Sequence, residues 1–268
     1  MSESKDGSRK YDAANPKPLA DFMKTGWAPT PLEGIVPNPA MKFCKARIEK
    51  LSKKYPGKRI VLPAGGLKVR SNDTDYRFRP HSAFSYFTGI TGSDAVPDSV
   101  LILEPRGDAH EALLFIHPRS SRDSEEFYRD AKYGEFWVGR RMTLEETEFK
   151  YGIAVRKIED LAKFLGVEKP VVYVRGENKV VDKQLSKDKE GQAELLTYLS
   201  EIRLIKDSFE IAEMQKAVDA TNRGFADMVR VFGAASSTSR GERIIEAAFF
   251  GRARLEGNDL GYETIAAS

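Results

Sequence analysis

The sequence predicts an α/β layer structure followed by the helical opening of a second domain. Short apolar runs at 60–62, 100–103, 113–116 and 171–174 are each bounded by Gly, Pro or charge, as strands of a mostly buried sheet are. A helical stripe lies between the last two, and strands interleaved with helices build layers around one core. From about Ser200 the pattern changes to two long amphipathic helices.

The chain has 268 residues, 41% hydrophobic and 31% charged, which is the composition of a globular protein with enough length to bury a core. Its 43 Lys+Arg against 40 Asp+Glu leave a net charge of +3, and the basic residues are interspersed with acidic ones. A dedicated nucleic-acid binder shows a basic stripe, so no nucleic-acid partner is expected. No apolar segment approaches the roughly 18 residues of a membrane span, and no membrane partner is expected. The polar start Met1–Lys10 lacks the apolar core of a secretory signal. One cysteine, Cys44, fits a reducing compartment, and a cytoplasmic location is the expectation.

Residues 1–40 read as an extended arm, punctuated by Pro16, Pro18, Pro29, Pro31, Pro37 and Pro39. Phe22 and Trp27 argue that it drapes over a folded surface, with a short helix around Leu19–Lys24. A first domain is expected over 41–199. It opens with Met41, Cys44, Ile48 and Leu51 on one helical face, which makes Cys44 a core residue rather than a nucleophile. Ile158, Leu161, Ala162 and Leu165 form the next stripe, over Lys157–Leu165. Residues 200–268 read as the beginning of a second domain. Ile211, Met214, Val218, Thr221, Phe225, Met228 and Phe232 step by threes and fours, with Asp207 or Ser208 to cap the start and Glu210 in the first turn. Ser239 and Glu242 spell a capping box for a second helix carrying Ile244, Ile245, Ala248, Phe249 and Leu255, which Gly257 ends. A strand-like stretch, Tyr262–Ala267, follows. Apolar faces on so small a piece call for more chain to cover them.

Self-contained catalytic motifs are absent: no phosphate loop, no dinucleotide glycine pattern, no Cys-x-x-Cys, no His-Glu-x-x-His and no Gly-x-Ser-x-Gly elbow. His110 and His117 flank one strand with an odd separation, which sends them to opposite faces and disfavours a joint metal site. Arg106-Gly107-Asp108 and Asn72-Asp73-Thr74 spell an adhesion tripeptide and a glycosylation acceptor, both short enough to arise by chance in turns. Val69–Gly89 is more informative, packing Asp73, Asp75, three arginines and five aromatics into one stretch. Such density suits an interface or a cleft, or else an ion-paired loop on its own domain. In Glu135–Arg141, Trp137 stands beside Gly139 and two arginines, either as a wall for a ring-shaped ligand or as a packed tryptophan.

The string Arg70-Ser71-Asn72-Asp73-x-x-Tyr76-x-Phe78-Arg79-x-x-Ser82-x-Phe84-x-Tyr86-Phe87-Thr88-Gly89 resembles the N-terminal domain of aminopeptidase P, the Xaa-Pro aminopeptidase family. Trp137-x-Gly139-Arg140-Arg141 resembles that domain's second motif. Arg203-Leu204-Ile205-Lys206-Asp207-x-x-Glu210-Ile211, Gly241-Glu242 and Gly257-x-x-x-Gly261-Tyr262-x-x-Ile265 resemble the start of its catalytic domain. The resemblance spans about 41–268. It implies a creatinase-like N-terminal domain, a mixed sheet flanked by helices, followed by the truncated start of a pita-bread α+β catalytic domain. The implied activity is hydrolysis of the bond between an N-terminal residue and a following proline.

In that family two divalent metals, commonly manganese, activate a bridging hydroxide and are held by Asp, His and Glu ligands that follow the Tyr-x-x-Ile strand. The resemblance therefore implies that those ligands lie beyond Ser268, that no catalytic or metal-binding residue stands in this chain, and that the chain alone is inactive. It implies that Asp73 meets the substrate's amino terminus, that Trp137 lines the pocket, and that Tyr262 stands next to the metal cluster. A carboxylate suits an ammonium, and an indole face suits a proline ring. Peptides with proline at the second position are the implied substrates, and a homodimer or homotetramer through the N-terminal domain is the implied assembly. Ala83 departs from the pattern where relatives often carry Asp, and the arm before Met41 is longer than in short members of the family. Prolidase, which shares the architecture, and a non-catalytic binding module of the same fold are the alternative readings.

Overall fold

The computed structural model describes residues 15–185 and 191–267. The chain divides between Arg203 and Leu204 into two compact units.

In the first unit the arm carries one short helix, α1 (Lys17–Met23), with proline in its first turn, where a missing N–H costs nothing. The arm's first 14 residues lie outside the described part. Helix α2 (Met41–Lys54) follows, with Cys44 and Leu51 buried and Lys53 and Lys54 at the end where the helix dipole favours cations. Next come β1 (Arg59–Pro63), a ribbon of β2 (Val69–Ser71) and β3 (Thr74–Asp75), α3 (Ser82–Thr88), and the hairpin β4 (Val100–Arg106) and β5 (Ala109–Ile116). Helices α4 (Glu125–Arg129), α5 (Glu135–Val138) and α6 (Leu144–Tyr151) lead to β6 (Ala154–Lys157). The unit closes with α7 (Leu161–Leu165), β7 (Val171–Tyr173), α8 (Lys179–Gln184) and α9 (Gln192–Glu201).

The sheet is mixed, in the order β6-β5-β4-β1-β7. The pairs β4–β5 and β1–β4 are antiparallel, whereas β1–β7 and β5–β6 are parallel. Both faces are covered, and that is why the strands read as unbroken apolar runs rather than as alternating ones. Ile60, Leu62, Leu101, Leu103 and Leu114 pack with α2, α3 and α9 on one face. Val61, Ile102, Leu113, Phe115 and Tyr173 pack with α7 and α8 on the other. Strand β6, Ala-Val-Arg-Lys, has no apolar run and was not expected; it is a short, partly exposed and charged edge. The Arg106-Gly107-Asp108 and Asn72-Asp73-Thr74 tripeptides both lie in turns: Gly107 takes φ +59° between β4 and β5, and Asn72 takes φ +47° between β2 and β3.

The second unit contains α10 (Ser208–Ser236) and α11 (Gly241–Glu256). Asp207 and Glu210 close a reciprocal capping box, with Glu210 N donating to Asp207 Oδ1 at 3.0 Å and Asp207 N donating to Glu210 Oε2 at 3.1 Å. A side chain at Gly224 would sit 2.9 Å from the Phe249 ring, so this glycine is what lets α10 and α11 approach. Two expectations fail here. Ser239 makes no cap, because α11 starts at Gly241 with Arg240 in the N-cap place and no side-chain hydrogen bond to the helix. The stretch Tyr262–Ala267 forms no strand. The apolar seam does exist, with Ile211, Met214, Val218, Phe225 and Phe232 all more than half exposed.

Candidate functional site

Asp73 stands at the tip of the β2–β3 ribbon, in an exposed turn whose positive φ at Asn72 is one that asparagine tolerates. Val69 and Tyr76 are exposed on the same ribbon, so the turn holds a carboxylate clear of the sheet. The rest of Val69–Gly89 does the opposite. Pro80, Ala83, Phe84 and Phe87 are buried, and α3 ties the ribbon to the core. Arg47 donates to Tyr86 O at 2.7 Å with its guanidinium 4.2 Å above the Tyr86 ring, and Gly89 ends α3 in the left-handed region at φ +72°. The aromatic-rich stretch is thus half display and half core. Ala83 is completely buried, so the departure at this position leaves a small apolar residue inside the fold.

Between these halves His81 Nδ1 accepts from Ala83 N at 3.3 Å and caps α3. Burial lowers the His81 pKa, the nearby Glu177 carboxylate opposes that shift, and Arg203 and Arg79 add to it. A neutral ring is the form that can accept at Nδ1.

Trp137 lies on α5 and is 61% exposed, between exposed Phe136 and Val138. Its indole Nε1 donates to Tyr128 O at 2.7 Å. Beneath it is an ionic frame. The buried Glu135 carboxylate accepts Arg119 Nε at 2.5 Å, Arg119 Nη2 at 3.0 Å and Arg141 N at 3.1 Å. Arg141, also buried, donates to His117 O at 3.0 Å and Pro118 O at 2.9 Å. Gly139, at φ +83°, makes the turn between helix and frame. Burial lowers the Arg141 pKa, while Glu126 and Glu135 act against that shift. Within Glu135–Arg141 the charged ends are therefore structural and the apolar centre faces solvent.

Tyr262 belongs to the second unit and is 85% exposed. Asp73, Trp137 and Tyr262 stand on three separate segments, and none lines the groove that Pro29–Pro31 and Pro118–Arg122 enclose. A metal centre does not fit the described residues, among which no group of three His, Cys, Asp or Glu could hold an ion. His81 caps α3, His110 Nε2 meets Lys58 O at 2.7 Å, and His117 Nε2 meets Glu126 at 3.0 Å.

Sequence reasoning missed Arg119, which bridges Glu135 and the arm by donating through Nη2 to Thr30 Oγ1 at 2.9 Å. It lies in an irregular turn with no periodicity to mark it. The Thr143-x-x-Glu146 capping box that starts α6 was readable; it also holds Arg140, whose Nη1 and Nη2 donate to Glu146 at 2.8 and 2.7 Å.

Comparison with known proteins agrees with this architecture. Residues 44–172 match the family described as aminopeptidase P, N-terminal domain. Xaa-Pro aminopeptidase 1 of Streptomyces coelicolor is 46% identical over 254 residues, covering 93% of this chain and 50% of the relative. Xaa-Pro aminopeptidase 2 of the same organism is 42% identical over 253 residues, covering 93% of this chain and 52% of the relative. The low-pH form of E. coli aminopeptidase P superposes with a TM-score of 0.62 at 22% identity, over 81% of this chain and 50% of that one, a likeness of fold. The chain spans about half the length of the curated relatives it matches, and over that half it is similar to the Xaa-Pro aminopeptidases, with the aminopeptidase P N-terminal domain matched at residues 44–172.

Proposed function

We propose that this chain is the N-terminal half of an Xaa-Pro aminopeptidase that releases an N-terminal residue from a following proline. The observation that carries the reading is 46% identity across 93% of the chain to a relative of that name. In it, Asp73 receives the substrate's α-ammonium, Trp137 offers an indole wall to the N-terminal residue or the proline ring, and Tyr262 neighbours a centre of two manganese ions. The exposure of Asp73 and Trp137 supports contact with another subunit, and a homodimer or homotetramer through the first unit is part of the proposal. Residues beyond this chain supply the metal ligands, so the chain alone is inactive. No helix among the described residues is long and apolar enough to cross a membrane. We place the protein in the cytoplasm on its single buried cysteine, a usage that suits a reducing compartment.

The test is hydrolysis of an Xaa-Pro-Xaa tripeptide by the full-length protein, after chelation and again after manganese is restored. Release of the first residue only with metal, and none by residues 1–268 alone, is expected. Cleavage confined to Xaa-Pro dipeptides would make the protein a prolidase. Inertness toward both substrates with metal present would favour a binding module.

A further inference from the structure

Three guanidinium groups converge on one threonine of the arm. Arg119 Nη2 donates to Thr30 Oγ1 at 2.9 Å, Arg122 Nη2 donates to the same oxygen, and Arg140 Nε donates to Thr30 O at 2.7 Å. A hydroxyl oxygen has two lone pairs, and here both face cationic donors, so its own O–H points elsewhere. That arrangement exceeds what a neutral hydroxyl needs and matches the several acceptor oxygens of a phosphate.

The charge balance points the same way. Arg119 is compensated by Glu135, and Arg140 by Glu146. Arg122 forms no ion pair among the described residues; its other Nη donates to Ala28 O, and its buried Nε has no hydrogen-bond partner. Ser120 Oγ is likewise buried and unpartnered. Thr30, Ser120 and Arg122 all line one groove of about 670 Å³. A guanidinium without an anion, its own Nε unpartnered and an unpartnered hydroxyl lining the same groove, marks a site short of negative charge.

We infer that Thr30 is a phosphorylation site and that Arg119 and Arg122 clasp its phosphate. Thr30 is exposed, and Pro29 and Pro31 hold it in an irregular segment without helix or strand, the kind of backbone a protein kinase can bind in extended form. The phosphoryl donor is a nucleoside triphosphate brought by a separate, proline-directed kinase. Thr30 Oγ1 attacks the terminal phosphorus, an O–P bond forms, and the bond from that phosphorus to the bridging oxygen breaks. Nucleoside diphosphate leaves, and the hydroxyl proton passes to the kinase's base. The added charge of about −1.5 to −2 ties the arm to Arg119, hence to Glu135 and the frame under Trp137. Phosphorylation thereby locks the arm beside the exposed Phe136–Val138 surface, where Trp27 already meets the Phe136 ring at 5.7 Å.

The full chain with phosphothreonine placed genetically at position 30 provides the test. Its phosphorus resonance is expected to titrate at lower pH than that of the same phosphothreonine in a peptide of residues 24–36. R122Q should move the titration back toward the peptide value, and tryptic cleavage at Lys24 should slow several-fold on phosphorylation. A titration in the intact chain equal to that of the peptide overturns the clasp whatever the variants do. Incubation with a proline-directed kinase and MgATP should label wild type and spare T30V at this position; labelling elsewhere with none at Thr30 overturns the modification. Inorganic phosphate binding T30V as tightly as it binds wild type would make the groove a free-anion site and overturn the proposal too.

Discussion

Arg59 and Glu104 form a two-pronged ion pair inside the sheet, with Nε to Oε2 at 2.7 Å and Nη2 to Oε1 at 3.2 Å. Their side chains are 3% and 4% exposed. They stand next to the Ile60–Leu103 pair of β1 and β4, Arg59 before Ile60 and Glu104 after Leu103, and Lys169, just before β7, reaches the same carboxylate. One buried anion thus joins three neighbouring segments, and a slip of any of them would strand a charge in the core.

Glu104→Gln is expected to destabilise the first unit by about 3–5 kcal/mol, because it leaves two cations without their counter-charge. Urea unfolding followed by tryptophan fluorescence isolates this unit, since both tryptophans, Trp27 and Trp137, lie in it. Burial pushes the Glu104 carboxyl up, but hydrogen bonds from Arg59 and Lys169 outweigh that and hold it below the ordinary range. Its stabilisation is therefore complete above the unfolded pKa of about 4.3 and is lost as pH falls through the lower folded value. E104Q should lack that acid-side loss; an unchanged acid limb would contradict this account.

His81 gives a second pH dependence at milder acidity. Its folded pKa is depressed below the unfolded value of about 6.5, so the unfolded chain takes the proton first. Stability is unaffected by this group above about pH 6.5 and declines as pH falls from there through the folded pKa. His81→Asn keeps an acceptor for Ala83 N and removes the titration. Urea midpoints at about pH 7 and pH 5 should differ less in H81N than in wild type; equal differences would exclude the role.

Glu135 and Trp137 are two residues apart and should respond unequally to mutation. Glu135→Gln weakens a buried acceptor of three donors and should cost about 3 kcal/mol. Trp137→Ala removes a largely exposed ring and one hydrogen bond, and should cost about 1 kcal/mol. Thermal or urea unfolding of the two variants ranks them directly, and the reverse order would refute the division between frame and display.

In the full-length protein, Asp73→Ala should raise KM and lower kcat/KM for tripeptides by about 10–100-fold, the loss of one charge-assisted hydrogen bond. Bound metal, measured by atomic emission, should change little. Unchanged kinetics would remove Asp73 from the substrate site.

Legibility in the sequence followed burial. Strands β1, β4, β5 and β7 were readable because covered faces leave continuous apolar runs, and α10 because its seam and the Asp207–Glu210 box agree. Strand β6 was hidden because an edge strand this short can be Arg- and Lys-rich. Ser239 misled because a capping box needs backbone geometry as well as spacing, and α11 begins too late for it. Among the site residues, motif position singled out Asp73 and Trp137, but Arg119 joins Glu135 across sixteen residues and Thr30 across eighty-nine, distances at which local pattern carries no signal.

The ionic frame beneath Phe136–Val138 inverts the usual relation between location and tolerance. Polar residues carry the stability from inside, while the apolar ones are displayed outside and bear little of it. Exchange of the displayed side chains would therefore cost the fold little, so what holds Trp137 in place across generations is the molecule it touches rather than the core beneath it.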